Sequence, residues 1–439
     1  MKFSLDELVQ YTNAQILKTS QSSEKYALST DTRKIGAGDI YLPLVGERFN
    51  GHDFVEQAVN NGAVGYFTSD KNLVVKNAQV ILYVQNTLEA YLQIANAYKR
   101  KINPKTIAIT GSSGKTTTKE MIASVCEQFF VTHKSLLNHN NEVGLAQTLL
   151  SMPEDTEVLV VEMGMRGLGE IDFLAKYAEP DIGVVTNIGT AHLGRLGSVE
   201  NIAKAKMELS KYVKELLIVE NNPLAFRFNL FDGQVKNIDL ENNDLKIIEQ
   251  TNSSSRFIYK NNEYQLNIEG DYNIINSMFA IEVGLQLGIP TEKIAQGLSV
   301  YKPVGNRWKV ENINGFKIIN DSYNANPNSV KCALKTFLEL SDKPHVFVFG
   351  DMGELGEQEE FYHKEIGHFL NNFESEILIT VGKLAKITAQ NTNWQVQSFD
   401  TNEEAGKFIK EKISKNSTIL LKASRAMEFE KIILEIEKL

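Results

Sequence analysis

The chain has 439 residues, too many for one ordinary core, and a prior of about 100–200 residues per domain divides it into three. Hydrophobic residues make up 42% and charged residues 23%, as in fully folded globular chains, with no low-complexity run and no internal repeat. A formal charge of -9 excludes the basic surplus of phosphate-backbone binders, so no nucleic-acid partner is expected and any anionic ligand must be held by a local cluster.

The first residues, Met1-Lys-Phe-Ser-Leu-Asp-Glu, carry acids where a signal peptide has its apolar stretch, and no segment approaches a membrane span, so a cytoplasmic location is expected. Cys126 and Cys332 fall on apparent amphipathic helices and read as core packing rather than as a disulfide or metal framework.

Residues 31–67 mix strand signals with glycine turns, and Thr87 to Lys101 reads as a helix, which together outline an N-terminal α/β domain over residues 1–100. Thr106 to Thr118 then reads as a strand, a phosphate-binding turn and a helix. Ile107 and Ile109 among threonines favour the strand, Gly111 and Gly114 let the turn at Ser112 and Ser113 aim backbone N–H groups at an anion, and the helix starting near Lys115 adds its positive end. Lys115 is then placed beside the β and γ phosphates of ATP, Thr116 offers its hydroxyl to Mg2+, and Thr117 completes the nucleotide contact. Ile109 stands where the full Walker pattern has a further glycine, so a Gly-Ser loop that merely joins strand to helix is the alternative.

Lys119 to Phe130 reads as a helix, and Ser135 to Gly144 holds an amide cluster whose Asn138, Asn140 and Asn141 could orient a carboxylate or phosphate, or simply make an Asx-rich turn. The run Val158 to Val161 delivers Glu162 to a sheet edge as a magnesium ligand or a solvated turn residue. Gly169 to Tyr177 is helical, Ile182 to Thr186 is the next strand, and His192 in the following loop is a second metal candidate or an ordinary loop histidine. Ser198 caps a helix on which Ile202, Lys206, Leu209 and Val213 form one apolar stripe, with Lys204 pointing elsewhere. A buried lysine loses its charge, and the neutral amine of Lys206 can add carbon dioxide to become a carbamate ligand for a second magnesium; the bland alternative is a stem that packs while the amine snorkels to water.

Asn221 to Asn262 breaks the strand-helix rhythm, with Phe257 to Tyr259 and Tyr264 to Ile268 as a small antiparallel addition. A second α/β series begins near Val310 with strands Phe316 to Ile319, His345 to Phe349, Ile377 to Val381 and Thr418 to Leu421. The expected architecture is therefore α/β in three domains: residues 1–100, a central P-loop parallel-sheet domain over 101–310, and a C-terminal Rossmann-like domain over 311–439. Asp321, just past the first strand of that series, is placed to accept hydrogen bonds from a ribose, although turn chemistry alone could explain it. His52, His133, His139, His345, His363 and His368 show no shared metal spacing and read as structural.

In their joint order these motifs resemble the ATP-dependent Mur ligases. Thr110-Gly-Ser-Ser-Gly-Lys-Thr-Thr is similar to the family's nucleotide loop, Glu162 to its first metal ligand, and His192 with Lys206 to its second-metal histidine and carbamoylated lysine. The resemblance implies ATP contacts at Asn276 in Gly270-Asp-Tyr-Asn-Ile-Ile-Asn, at Arg307, at Asp321 and at Asn326. It also implies a UDP-sugar region around Asp31, Arg33 and Gly46-Glu-Arg-Phe-Asn-Gly51-His52, and a final strand motif at Lys422-Ala-Ser424-Arg425. Asp321-Ser-Tyr-Asn-Ala-Asn-Pro, Glu162-Met-Gly-Met-Arg-Gly and Gly350-Asp-Met-Gly-Glu-Leu-Gly point within the family to an amide ligase, acting through an acyl phosphate, whose substrates are a UDP-N-acetylmuramoyl tripeptide and D-alanyl-D-alanine. Leu137, Ala146 and Ala423 depart from the family pattern without removing a polar group. The resemblance further implies two magnesium ions, a monomer, and a C-terminal domain that swings onto the central one. The alternatives are a relative that adds a single amino acid, such as a tripeptide-stage ligase or a folylpolyglutamate synthase, and a non-catalytic nucleotide switch.

Overall fold

Residues 1–20, 25–46 and 49–438 are described in the computed structural model; Glu47 and Arg48 of the Gly46–His52 motif lie outside them. The chain divides into two compact units: residues 1–106, 133–161 and 176–179 in one, and residues 107–132, 162–175 and 180–439 in the other.

The first unit holds a five-stranded sheet in the order Gln15–Thr19, Val80–Tyr83, Gly65–Thr68, Ile40–Tyr41, Leu28–Ser29. The first pair is antiparallel and the other pairs are parallel. Tyr41, Tyr66 and Ile81 pack with Val55 and Ala58 of the helix Val55–Asn60 as its core. The helix Thr87–Ile102, expected as Thr87 to Lys101, is capped by Asn86, whose side chain accepts from Leu88 and Glu89 N–H. Its Asn96 Nδ2 donates to Tyr177 O at 2.7 Å, and Tyr98 Oη donates to Met152 O at 2.9 Å.

A six-stranded sheet runs in the order Gln234–Ile238, Leu216–Glu220, Ile182–Val185, Lys105–Thr110, Val158–Glu162, Thr132–Lys134. Every residue of Val158–Glu162 and of Ile182–Val185 is buried, the continuous apolar signature of parallel strands covered on both faces. In the second unit the helices Asp271–Gln286 and Thr291–Val300 pack on Lys115–Cys126, which begins at Lys115. The stretch 221–262 is less irregular than its composition suggests. Gln234–Ile238 pairs parallel with Leu216–Glu220 at the sheet edge, where its half-exposed, polar-rich pattern hides it from an apolar-run reading. The antiparallel addition has the strands Leu245–Gln250, Ser255–Tyr259 and Asn262–Leu266. Glu282, 1% exposed on the helix beneath, accepts from Tyr259 Oη and pairs with Lys236 and Lys260.

The last sheet has the order Lys309–Ile313, Phe316–Asn320, Thr418–Lys422, His345–Gly350, Ile377–Val381, Gln395–Phe399. Its first pair is antiparallel and the rest parallel, around a core that includes Ile318, Val348, Ile379 and Leu421. The helix after Ser198 is shorter than its apolar stripe: it spans Val199–Met207, tightens into a 3-10 turn over Glu208–Tyr212, and leaves Val213 extended. Cys126 is buried as expected, whereas Cys332 is exposed, because it faces away from the apolar side of Pro327–Leu340 that holds Val330, Ala333, Leu334 and Phe337.

Two stability outcomes follow. Glu282→Ala strips the carboxylate from two lysines and a tyrosine and should lower unfolding free energy by about 2–4 kcal/mol in urea titrations. His363 is fully buried, accepts from Met352 N–H at Nε2 (3.0 Å), and holds Nδ1 against Glu359 O at 2.7 Å. Burial pushes its pKa below the ordinary histidine value, against smaller raising effects of Glu359 and Asp351. The unfolded chain therefore takes up this proton first: the contribution is full above about pH 6.5 and is lost as the pH falls toward the folded value. The urea midpoint should drop on acidification through that window, and His363→Gln should flatten the drop; an equally steep drop in the variant would exclude His363 as its source.

Candidate active site

The nucleotide loop lies where parallel strands end. Lys105–Thr110 is hydrogen-bonded in register to Ile182–Val185, so the turn 111–114 and the segment 186–189 emerge side by side. Their approach is close: a Cβ on Gly111 would stand 1.9 Å from Thr186 Oγ1, so only glycine fits. Ser112 and Ser113 donate their N–H groups to Asn187 Oδ1 at 3.0 and 2.9 Å, Asn187 Nδ2 donates to Ser113 Oγ at 2.6 Å, and Gly189 N–H donates to Ser112 Oγ at 2.9 Å. Two of the N–H groups expected to face an anion are thus held by an amide oxygen. Asn187 was not singled out from sequence; its only signal is a polar residue directly after an apolar strand.

Lys115 donates to Gly111 O at 2.7 Å, folding its amine back over the turn. Burial pushes its pKa below the ordinary lysine value, Arg307 pushes the same way, and Glu162 and Glu354 oppose. Gly114, at φ 77°, leads directly into the helix. Thr116 Oγ1 donates to Glu162 Oε2 at 2.8 Å, so the two candidate ligands of the first metal are in contact. Lys119, fully buried, stands 2.9 Å from Glu120 and 3.9 Å from Glu162. Among the described residues no three His, Cys, Asp or Glu side chains converge as a metal cage. Magnesium characteristically takes one or two protein oxygens and completes its shell with phosphate and water, and a hydroxyl and carboxylate in contact suit that pattern. The hydroxyl of Thr117 meets Tyr301.

Lys206 is 1% exposed and has neither a hydrogen bond nor an ion pair among the described residues, a burial that does not suit the snorkelling alternative. Burial pushes its pKa well below the ordinary lysine value and the charge of Lys115 adds to this. Lys204 is exposed. Glu208 accepts Gly169 and Asp172 N–H at 2.8 and 3.1 Å, tying this helix to the start of Glu170–Ala178. His192 and Lys206 share no hydrogen bond or ion pair; His192 instead places Nδ1 2.7 Å from Glu354 Oε2. That carboxylate comes from the Gly350–Gly356 motif.

Asn276, buried on its helix, accepts from Thr118 Oγ1 at 3.1 Å. The Arg307 guanidinium lies 3.5 Å over the Tyr323 ring, and its buried Nη1 has no hydrogen-bond partner among the described residues. Asp321 accepts from Lys422 Nζ at 2.6 Å and from Trp308 N–H at 3.2 Å, which leaves lone pairs for a further donor. Lys422, 3% exposed, belongs to the final strand motif, where no local pattern marks it as a site residue. Asn326 caps Pro327–Leu340, its Oδ1 taking Ser329 N–H at 2.9 Å. Ser424 Oγ accepts Gly353 N–H at 2.6 Å, and exposed Arg425 pairs with Glu430 at 2.7 Å.

The remaining candidates belong to the first unit. Asp31 caps a 3-10 turn and grips Arg33 through both oxygens, at 2.9 and 2.8 Å, which holds its carboxyl down at about 2. Gly51 is buried, its carbonyl accepting from Tyr41 Oη at 3.1 Å. His52 has both ring nitrogens engaged, Nδ1 with Asn50 Oδ1 at 2.9 Å and Nε2 with Ser69 N–H at 3.0 Å, and burial pushes its pKa down. Asn141 caps Glu142–Leu150 through Gly144 N–H at 2.9 Å, and Asn138 adopts the left-handed φ of 67° at the turn before Asn140. No helix of the described residues is long and apolar enough to cross a membrane.

Three family descriptions match in sequence: "Mur ligase family, catalytic domain" over residues 25–104, "Mur ligase middle domain" over 109–284, and "Mur ligase, glutamate ligase domain" over 306–425. The chain is 37% identical over 426 residues to the UDP-N-acetylmuramoyl-tripeptide--D-alanyl-D-alanine ligase of Bacillus subtilis, covering 94% of this chain and 93% of that one. A crystal structure of MurF from Acinetobacter baumannii superposes with a TM-score of 0.92 at 28% identity, covering 100% of this chain and 99% of that one. MurF ligase from Thermotoga maritima in complex with ADP gives 0.84 at 26% identity, covering 94% and 97%. With its nucleotide loop, its paired Thr116 and Glu162, and a relative matched along nearly its whole length, the chain belongs to the Mur ligase family.

Proposed function

We propose that this ligase joins D-alanyl-D-alanine to a UDP-N-acetylmuramoyl tripeptide at the expense of ATP. The observation that carries the chemistry is a set of basic side chains with little protein charge to answer them: Lys115 folded over the nucleotide turn onto Gly111 O, Arg307 with a buried Nη1 that has no partner among the described residues, and Lys206 buried on its helix. Like charges are costly to bury together unless an anion enters, and a buried guanidinium nitrogen without a protein partner marks where one would bond. A nucleoside triphosphate supplies that charge. The relative solved with ADP and the ligase named in Bacillus subtilis support the same reading for the nucleotide and for the two substrates.

In this reading residues 1–100 hold the UDP-sugar, through Asp31, Arg33, Gly51 and His52; residues 101–310 hold the nucleotide; and residues 311–439 close on it with Asp321, Asn326, Ser424 and Arg425. Asn138, Asn140 and Asn141 orient the tripeptide. The tripeptide carboxylate attacks the γ-phosphorus, the bond from that phosphorus to the β–γ bridging oxygen breaks, and ADP leaves. The dipeptide amine then attacks the acyl carbon, the carbon–oxygen bond to phosphate breaks, and the amine gives up a proton. Lys115 neutralises charge on the transferring group, and Arg307 offers its free nitrogen to phosphate oxygens. Thr116 and Glu162 would hold the first magnesium, and His192 with carbamoylated Lys206 the second. Bound there, these ions supply charge neutralisation during transfer. The uncharged amine of Lys206 is the nucleophile that carbamate formation requires: its nitrogen bonds to the carbon of CO2 and one proton is released. Water is kept from the acyl phosphate by closure of the C-terminal residues over the loop.

Phosphate release should require ATP, a UDP-muramoyl tripeptide and D-alanyl-D-alanine together, whether the third residue is diaminopimelate or lysine being read in the same assay. Equal release with a single amino acid as acceptor would move the chain to a different Mur ligase reaction, and none with any acceptor would favour a nucleotide switch. Lys206→Ala should lose about a hundredfold or more of kcat, with partial recovery on adding bicarbonate or a short carboxylic acid; full activity in the variant would end the carbamate proposal.

A further inference from the structure

We propose that Glu354 is a positioning residue for His192, an inference that rests on the ligase reading above. Glu354 lies in the turn between His345–Gly350 and the helix Glu359–Leu370, and three observations seat that turn against residues 192–194. The carboxylate oxygen stands 2.7 Å from His192 Nδ1, with Arg195 and Arg166 as the other charges acting on it. Gly194 donates its N–H to the Glu354 carbonyl at 3.1 Å. The two backbones meet at glycines: a Cβ on Gly194 would stand 2.4 Å from Gly356 N, and one on Gly356 would stand 2.6 Å from Gly194 Cα. No side chain fits at either position while this approach is kept.

The turn is braced from behind. Gly353 N–H donates to Ser424 Oγ at 2.6 Å and Met352 N–H to His363 Nε2 at 3.0 Å, so Glu354, itself at φ 65°, is presented by a fixed backbone. On the other side His192 also holds a left-handed φ of 65°, at the start of Leu193–Leu196. The carboxylate stands 2.7 Å from Nδ1 but off the axis of the ring N–H, so a small turn of the ring completes the hydrogen bond. A carboxylate at this distance keeps the proton on Nδ1 and leaves the lone pair of Nε2 for the site. Glu354 belongs to the C-terminal sequence and His192 to the central one, so the imidazole acquires its orientation only when the two are docked. The reactive arrangement is thereby completed by closure.

The test compares Glu354→Ala, Glu354→Asp, Gly194→Ala and the neighbouring exposed control Glu357→Gln in the full chain. Gly194 has an ordinary negative-φ backbone, so alanine there strains only the approach to Gly356. Glu354→Ala should lower kcat about ten- to a hundredfold, with KM for ATP within about twofold and an unchanged melting temperature, and Gly194→Ala, which forces the approach to Gly356 apart, should lower kcat as well. Glu354→Asp should recover part of the loss and Glu357→Gln should show none. Independently of turnover, the 15N shifts of the His192 ring, assigned by their loss in His192→Gln, should report an Nδ1–H tautomer in the parent and a mixture in Glu354→Ala. Unchanged kcat in Glu354→Ala, an equal loss in Glu357→Gln, or an unaltered His192 tautomer would each overturn the proposal. A parent chain that releases no phosphate would instead sink the ligase reading, with the 15N comparison still decisive for the contact.

Discussion

The constraint on which the rest of the site depends is the burial of positive charge faster than the protein supplies negative charge. Burial drives the amine of Lys206 toward its uncharged form, Lys115 gives its amine to a carbonyl, and Arg307 keeps a buried nitrogen without a partner among the described residues. A fold maximised for stability would pair or remove these groups, because isolated buried charge is among the costliest features a chain can carry. Here the deficit is aligned with the positive end of the Lys115–Cys126 helix, so the same place that is destabilised in the free protein is stabilised by an incoming polyanion.

Sheet geometry puts these groups together. Parallel strands deliver their carboxyl ends to one edge, and Thr110, Glu162 and Thr186 are the last residues of, or the first beyond, three of them. The C-terminal sheet does the same for Asn320 and Lys422, where Asp321 and Lys422 meet. The candidate site residues therefore sit beside backbone that is fixed by sheet hydrogen bonds.

Much of this was legible before any coordinates. The strand-turn-helix at 106–118, Glu162 after four apolar residues, the cap at Ser198 and the inward face of Lys206 all follow from periodicity and local chemistry, and each is found where it was expected. The misses share a cause. Asn187, Lys422 and Glu354 act through partners 74, 101 and more than a hundred residues away, so no local pattern announces them. The strand at 234–238 was hidden because an edge strand needs no apolar run, and Cys332 was misjudged because one apparent amphipathic position does not say which way a helix turns its seam.

The hydrogen bonds found in the site also say how a ligand would be received. Asn187 Oδ1 takes the two loop N–H groups, Glu162 takes the Thr116 hydroxyl, Gly111 O takes the Lys115 amine, and Asp321 takes Lys422. Each is a protein group standing where phosphate, metal or sugar chemistry would offer a stronger partner. Exchanging one neutral hydrogen bond for another, as at the two loop N–H groups, changes free energy by only about 1 kcal/mol, so substitutions of that kind alone cannot drive binding. What they do is keep every donor aimed and dry until the exchange, which lowers the ordering cost at that moment. On the ligase reading the driving force must then come from a group that has no stand-in, the Arg307 guanidinium, whose buried Nη1 has no partner among the described residues. On the ligase reading, orientation thus falls to the satisfied donors and affinity to the unsatisfied guanidinium of Arg307.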